Sequence, residues 1–566
     1  MTYDLLIQGG TVVDGTGAPK FTADVAIKDG QIAGISAERG KLGSDAKRVI
    51  KADGLVVAPG VIDVHTHYDA QLCWDGTLST STSHGTTTVI QGNCGIGVAP
   101  CKPEHRDISM HDLVVLEGIS YDTMKAGIPW DFQTFPEYLA YVQRRGLGIN
   151  VAAFVPLGPL RRYELGDEAN KRAATPEETT RIANALREAM KAGAFGFSST
   201  MTKRQTGFQG KPLPTQLADA NELKVYAGVL KELGRGVIQA NVIEALAKPT
   251  EEELAKLDML IDSSGGRTVT YSGAFYRADF PEAIEDMLQR CERLRKRGAV
   301  PQTTIMPMTI ELDFRNAMAL ADVDAFKETL NRTVEEQKRI YADPAWRERA
   351  KSGLRSGPKL FGTAWPHAIV LRVKNPKSES LLKKTVTEVA ALRGGDPFDV
   401  MIDLALENDL ELKLLGSHAN NDHKKLGQHI KDPRILVGLH DGGAHVDQMF
   451  QAGFPTYMLG HWVRDEKVID LEYAVKRMTS EPADYMHMFD RGRVATGKRA
   501  DLMIFDPATV GSVQPPELQL NDLPAGGTRL YARPTGMAYT LVAGVPVMEN
   551  GKHTGAMPGS IVLPTA

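Results

Sequence analysis

Eight short, nearly uninterrupted apolar runs, separated by longer amphipathic stretches, constrain this chain more than any other feature. They are GVIDVHTH, TTTVIQGNCG, NVAAFVPLG, AFGFSST, GVIQANVI, RTVTYSGAF, VPQTTIMP and ILVGLHDGGAH. A strand buried on both faces carries apolar side chains at consecutive positions, so such runs belong to a parallel sheet covered on both sides. Between them lie helical segments. PEETTRIANALREAMKAG follows a threonine with proline and two glutamates and stops at a glycine, and AIEDMLQRCERLRKRG ends in basic residues and glycine. Eight strand–helix units predict an α/β fold, a (β/α)8 barrel of the TIM type.

The two ends of the chain read differently. Residues 1–58 alternate apolar and polar side chains with Asp-Gly breaks, and residues 490–566 repeat that grammar, as strands joined by tight turns do. The expected partition is therefore a small β-sandwich built from both ends (1–58 and 490–566) around a barrel spanning 59–489. A charged helical insertion at about 308–396 is too long for an ordinary connection. A length of 566 residues exceeds what one hydrophobic core organises, and 42% hydrophobic content supplies apolar material for more than one. The net charge of -4 leaves no excess positive charge for nucleic acid or an anionic membrane. The start MTYDLLIQGG lacks a basic region followed by a long apolar one, so a cytoplasmic location is expected. Four irregularly spaced cysteines do not suggest a disulfide framework.

Chemistry concentrates at three strand ends. His65 and His67 are two apart at the end of an apolar strand and so point to the same side, where two imidazoles reach one cation. The other reading is a pair of incidental surface histidines. Cys94, in a Gly-Asn-Cys-Gly turn, is either a thiolate ligand or a small buried hydrophobe. Asp441 ends the last apolar run in Asp-Gly-Gly, which fits either a carboxylate at a reaction centre or an Asx turn.

The stretch Ala-Pro-Gly-Val-Ile-Asp-Val-His-Thr-His resembles the metal-binding first strand of the amidohydrolase superfamily. TTTVIQGNCGIGVAP resembles the N-acyl-D-amino-acid deacylase (D-aminoacylase) branch of it. The resemblance continues through ILVGLHDGGAH and through MTSEPADYMHMFDRGRVATGKRADL, where such chains return to the β domain. It implies that His65, His67, Cys94 and Asp441 bind metal. It also implies that Asp441 acts as general base and acid for hydrolysis of a non-peptide amide bond by metal-bound hydroxide.

The sequence also departs from that family. All fourteen histidines fall at or before His111 or at or after His367, so the fifth and sixth strands lack the family's imidazoles. They offer Gln239, Asn241, Tyr271 and Ser272, which are poor zinc ligands. One Zn²⁺ per chain is therefore expected, with another divalent metal as the alternative, and no lysine other than Lys203 lies near a bridging position. Met449 stands where the resemblance places an arginine for the substrate carboxylate, and a thioether favours an apolar group instead. Arg277, Arg204, Lys203 and Arg464 are the cations available to replace it. Met449, His445, Arg277, Tyr271 and Asn241 form the expected substrate-binding set. The expected partner is a small-molecule amide, N-acyl amino-acid-type or larger and hydrophobic, with no nucleic acid and no membrane, and a homo-oligomer is compatible with the sequence. The competing readings are a hydrolase of a cyclic amide or ester, and a non-catalytic amidohydrolase-like protein that binds or assembles.

Overall fold

Where the apolar runs are densest, the chain forms eight strands buried along their whole length. They are β1 (Val61–Asp63), β2 (Thr86–Gln91), β3 (Asn150–Pro156), β4 (Gly196–Thr200), β5 (Val237–Asn241), β6 (Val269–Ser272), β7 (Ala299–Thr303) and β8 (Leu436–Val437). The structure, a computed structural model, describes residues 2–245, 247–330, 332–356, 359–362, 364–446, 449–513 and 518–565. Each barrel strand pairs in parallel with its successor in the chain. A parallel bridge between Thr66 and Gly442 joins the last to the first. The result is the predicted α/β barrel, packed by Ile62, Val64, Ile90, Phe154, Val237, Val300 and Leu436. Each such side chain contributes about 1.5–3 kcal/mol relative to exposure.

The helices start where the sequence offers caps. Thr175 with Glu178, Asp219 with Glu222 and Thr250 with Glu253 form reciprocal capping boxes ahead of Pro176–Lys191, Ala220–Leu233 and Glu251–Ser263.

Both chain ends enter one nine-stranded sheet. Its N-terminal and C-terminal halves meet where Val56–Pro59 pairs antiparallel with Leu502–Phe505 over Leu5, Ile7, Val25, Val57, Leu502 and Ile504. Two parts of the C-terminal stretch leave this sheet. Ile561 bridges Val151 at the start of β3, and Val562 packs into the barrel core. Arg529–Tyr531 pairs with Leu518–Leu520 as a separate two-stranded element.

The insertion is larger than the helical stretch 308–396 and is not all helix. A second compact unit comprises Phe275–Ala283 and Met306–Leu426. It has its own antiparallel sheet, with Lys413–Ala419 between Met308–Asp313 and Ile369–Arg372. Its core surrounds Trp346, whose ring meets Phe326 at 5.2 Å and Tyr341 at 5.1 Å edge-on. The strands escape the helix-period reading because this unit assembles around its own core from segments distant in the chain.

Candidate metal centre

Beyond β1 the chain stays extended. The Thr66 amide donates to the Ile90 carbonyl at 3.0 Å and the His67 amide to the Gly442 carbonyl at 2.8 Å. This extended register carries His65 and His67 to the same side, with ring centroids 5.4 Å apart and both rings buried. Cys94 sits in the turn after β2 with φ of 59°, flanked by Gly92 and Gly95, also at positive φ. The glycines are needed because a Cβ on Gly92 would lie 2.3 Å from the Phe154 carbonyl oxygen, and one on Gly95 2.8 Å from Thr215.

This turn brings the Cys94 Sγ to 3.2 Å from His65 Nε2. The donor atoms of His65, His67 and Cys94 lie within 4.8 Å of one another. Asp441, at φ of 47° just after β8, places Oδ1 3.4 Å from His65 Nε2 and 3.5 Å from His67 Nε2. Three strand ends thus deliver two imidazoles, a thiol and a carboxylate to one place. Asp441 is its open side, with 18% of the side chain exposed.

Second contacts orient these donors. Gln302 of β7 lies 2.7 Å from His65 Nδ1 through its Oε1, so Nδ1 carries the proton and Nε2 is free to ligate. His67 Nδ1 faces Glu117 Oε1 at 3.2 Å. Glu117, buried at the end of Arg106–Glu117, escaped the sequence reading because its only signal was a glutamate before a helix-stopping glycine. The polar residues of β5 and β6 do not line up as ligands. Gln239 Oε1 accepts the Cys94 amide at 2.6 Å, and its Nε2 donates to Asn241 Oδ1 at 3.1 Å. Ser272 donates to the same Asn241 oxygen at 2.6 Å. Asn241 Nδ2 reaches Thr200 Oγ1 at 3.0 Å, and that hydroxyl donates to the Cys94 carbonyl at 2.7 Å. The network clamps the cysteine turn.

The residues expected to bind substrate have the following surroundings. Asn241 is committed to that clamp. Tyr271 is fully buried and faces Cys291 of Ala283–Arg295, because it has the opposite strand parity to Ser272. Arg277 belongs to the inserted unit, where it pairs with Asp279 at 2.7 Å and donates to the Lys359 carbonyl. His445 does lie in the Asp441 loop. Its amide meets the Glu117 carbonyl at 2.5 Å and its charge favours ionised Asp441. Met449 lines a cavity together with Asp441, Gln71, Thr80 and Arg529. Among the other cations, Arg464 is held by Asp465 and the Val510 carbonyl, and Lys203 is exposed. Arg204 donates to the Ile243 carbonyl at 3.2 Å.

The electrostatics are those of an anionic cradle. Burial works against charge on every member, yet the neighbouring imidazoles bring the Cys94 thiol down to about 7 and hold Asp441 far below the usual carboxylate range. Reciprocally, and again against burial, Cys94 and Asp441 raise His65, while Glu117, Asp441 and Cys94 raise His67 well above its ordinary value. Such a set favours a cation at its centre. The imidazole, thiolate and carboxylate donors suit a borderline-soft divalent metal. His84, by contrast, is buried away from this cluster with Nδ1 2.6 Å from Thr456 Oγ1.

The sequence pattern of the Amidohydrolase family matches residues 48–357 and 367–548. The chain is 27% identical to a D-aminoacylase of Alcaligenes xylosoxydans xylosoxydans over 586 residues, covering 100% of this chain and 98% of that one. A solved D-aminoacylase described by its binuclear metal centre, with one-metal activation and second-metal attenuation, superposes with a TM-score of 0.66 at 23% identity, covering 99% of both chains. An N-acyl-D-glutamate deacylase from Bordetella bronchiseptica, complexed with zinc and a phosphonate mimic of the tetrahedral intermediate, superposes at 0.65 and 24% identity over 99% of both. With the family match spanning most of its length and relatives of this kind covering it from end to end, the chain belongs to the amidohydrolase family, in its D-aminoacylase branch.

Proposed function

We propose that this chain hydrolyses the amide bond of an N-acyl amino-acid-type substrate, or of a larger hydrophobic amide, with one zinc ion held by His65, His67, Cys94 and Asp441. The observation that carries the reading is the convergence of three buried donors within 4.8 Å beside a carboxylate that keeps an open side. A single metal is favoured because the β5 and β6 side chains are spent on the Cys94 clamp. A divalent metal in such a site polarises the scissile carbonyl and acidifies water.

The protein's own residues supply the rest. Gln302 and Glu117 hold the two imidazoles with Nε2 inward. Asp441 takes a proton from the attacking water as the C–O bond forms, and passes it to the departing nitrogen as the C–N bond breaks. Among the described residues no helix is long and apolar enough to cross a membrane. The four unpaired, buried thiols support a reducing, cytoplasmic location.

The test is hydrolysis of N-acetyl-D-amino acids, N-acetyl-L-amino acids and their neutral amides by purified protein before and after chelation. Turnover lost on chelation and restored by one equivalent of zinc supports the proposal. No turnover with any amide overturns the hydrolase reading, and two full-occupancy metals by elemental analysis overturn the single-metal one.

A further inference from the structure

The loop after β8 supplies Asp441 and Met449 to one cavity, and its residues 438–452 include no arginine or lysine. In an N-acyl amino acid the carboxylate is attached to the carbon that bears the amide nitrogen, so it lies two bonds from the atom that Asp441 must protonate. A cation for that carboxylate has to share the Asp441 cavity, where it also offsets repulsion from Asp441 itself. Arg529 does. It is only 5% exposed and lines the cavity beside Asp441, Met449, Gln71 and Thr80.

Arg529 comes from the strand Arg529–Tyr531, about eighty residues downstream of Met449. Three contacts fasten that strand to the β8 loop. The Leu530 amide donates to the Val446 carbonyl at 2.7 Å, Tyr531 meets Phe450 at 5.2 Å edge-on, and Leu530 and Tyr531 pack on Phe450, Ala452 and Ala532. One edge of the guanidinium is used, with Nε on Asp522 Oδ1 at 2.9 Å and Nη2 on Asp522 Oδ2 at 2.6 Å. Asp522 sits toward solvent, 42% exposed. The edge formed by Nη1 and the second Nη2 hydrogen makes no hydrogen bond to the described residues. That edge is a fork of the spacing that a carboxylate accepts in bidentate fashion.

We infer that Arg529, positioned by Asp522, receives the free carboxylate of the substrate in place of an arginine at position 449. The inference rests on the amide-hydrolase reading for its substrate class. It adds Arg529 to the cations, Arg277, Arg204, Lys203 and Arg464, that the sequence offers in place of an arginine at position 449.

The experiment uses zinc-loaded full-length protein and a probe that cannot turn over, N-methanesulfonyl-leucine as free acid and as carboxamide, with binding read by calorimetry. The acid should bind about tenfold or more tightly than the carboxamide, as a charge-assisted bidentate contact provides. Arg529→Met should abolish that preference, because the extra affinity of the acid resides in the guanidinium contact. Equal binding of the two probes by the unaltered protein, a preference that survives in Arg529→Met, or one that disappears in Arg204→Gln instead, overturns the inference. Should Arg529→Met fail to fold, Arg529→Lys answers the question: the preference falls severalfold, and an unaltered preference is refuting. An Arg529-dependent preference in a protein that hydrolyses no N-acetyl substrate would sink the reaction and leave the carboxylate site standing.

Discussion

Replacing Glu117 with glutamine isolates the contribution of one buried carboxylate to the metal centre. Glu117 is 3% exposed and faces His67 Nδ1 at 3.2 Å, so solvent screens the contact little. As an acceptor-only group the carboxylate permits one tautomer, with the proton on Nδ1 and the Nε2 lone pair directed inward. Glutamine has the same shape, but it exchanges a charge-assisted hydrogen bond for a neutral one. It also gives the ring a choice, since a flipped amide donates to Nδ1 and sends the imidazole proton to the ligating nitrogen. A charge-assisted hydrogen bond contributes about 1.5–3 kcal/mol and a neutral one about 0.5–1.5, so the loss is roughly 1–2 kcal/mol. Zinc affinity should accordingly fall about five- to thirtyfold, overlapping the roughly ten- to hundredfold effects typical of orienting partners of ligating histidines. The assay is a competitive titration against a chromophoric chelator, with Tm of the metal-free protein measured in parallel. The His445 amide bonds to the Glu117 backbone carbonyl, which the substitution leaves in place. Unchanged zinc affinity in a folded Glu117→Gln protein would refute the orienting role, and an unfolded metal-free variant would mean that the carboxylate serves the fold.

Three further outcomes are expected. Asp441→Asn should lower kcat about a hundredfold to ten-thousandfold while the protein remains folded, because an amide cannot accept the proton of the attacking water; near-normal turnover would remove Asp441 from the mechanism. His84 is depressed by burial to about 3, so its folded-state pKa lies below the unfolded value of about 6.5 and it disfavours unfolding fully only above that pH. As pH falls from about 6.5 toward 3, urea-unfolding stability should drop by up to about 1.4 kcal/mol per pH unit from this group, and His84→Gln should flatten that slope while leaving zinc content and turnover intact. Tyr271→Phe should leave kcat and KM unchanged, since the ring faces Cys291 rather than the metal cluster; a raised KM for the best substrate would reverse that assignment.

The sequence by itself determined the parts whose physics is local. Consecutive burial marks the barrel strands, and a period of two puts His65 and His67 on one side. Glycines mark the cysteine turn, and threonine, aspartate and glutamate mark the helix starts. Cys94 and Asp441 were legible because each ends an apolar run, and strand ends converge on one face of a barrel. Strand parity, however, is relative. The sequence says that Gln239 and Asn241 share a side and that Tyr271 and Ser272 do not, but not which side faces the cluster. Only the closed sheet decided that Gln239, Asn241 and Ser272 clamp Cys94 while Tyr271 turns away. The extent of the inserted unit likewise depended on pairing between Met308–Asp313 and Lys413–Ala419, a hundred residues apart. Glu117, Gln302 and Arg529 come from a helix end, another strand and the C-terminal excursion. No periodicity links them to His67, His65 or Asp441, because contacts across a closed barrel are set by packing in three dimensions and not by spacing along the chain.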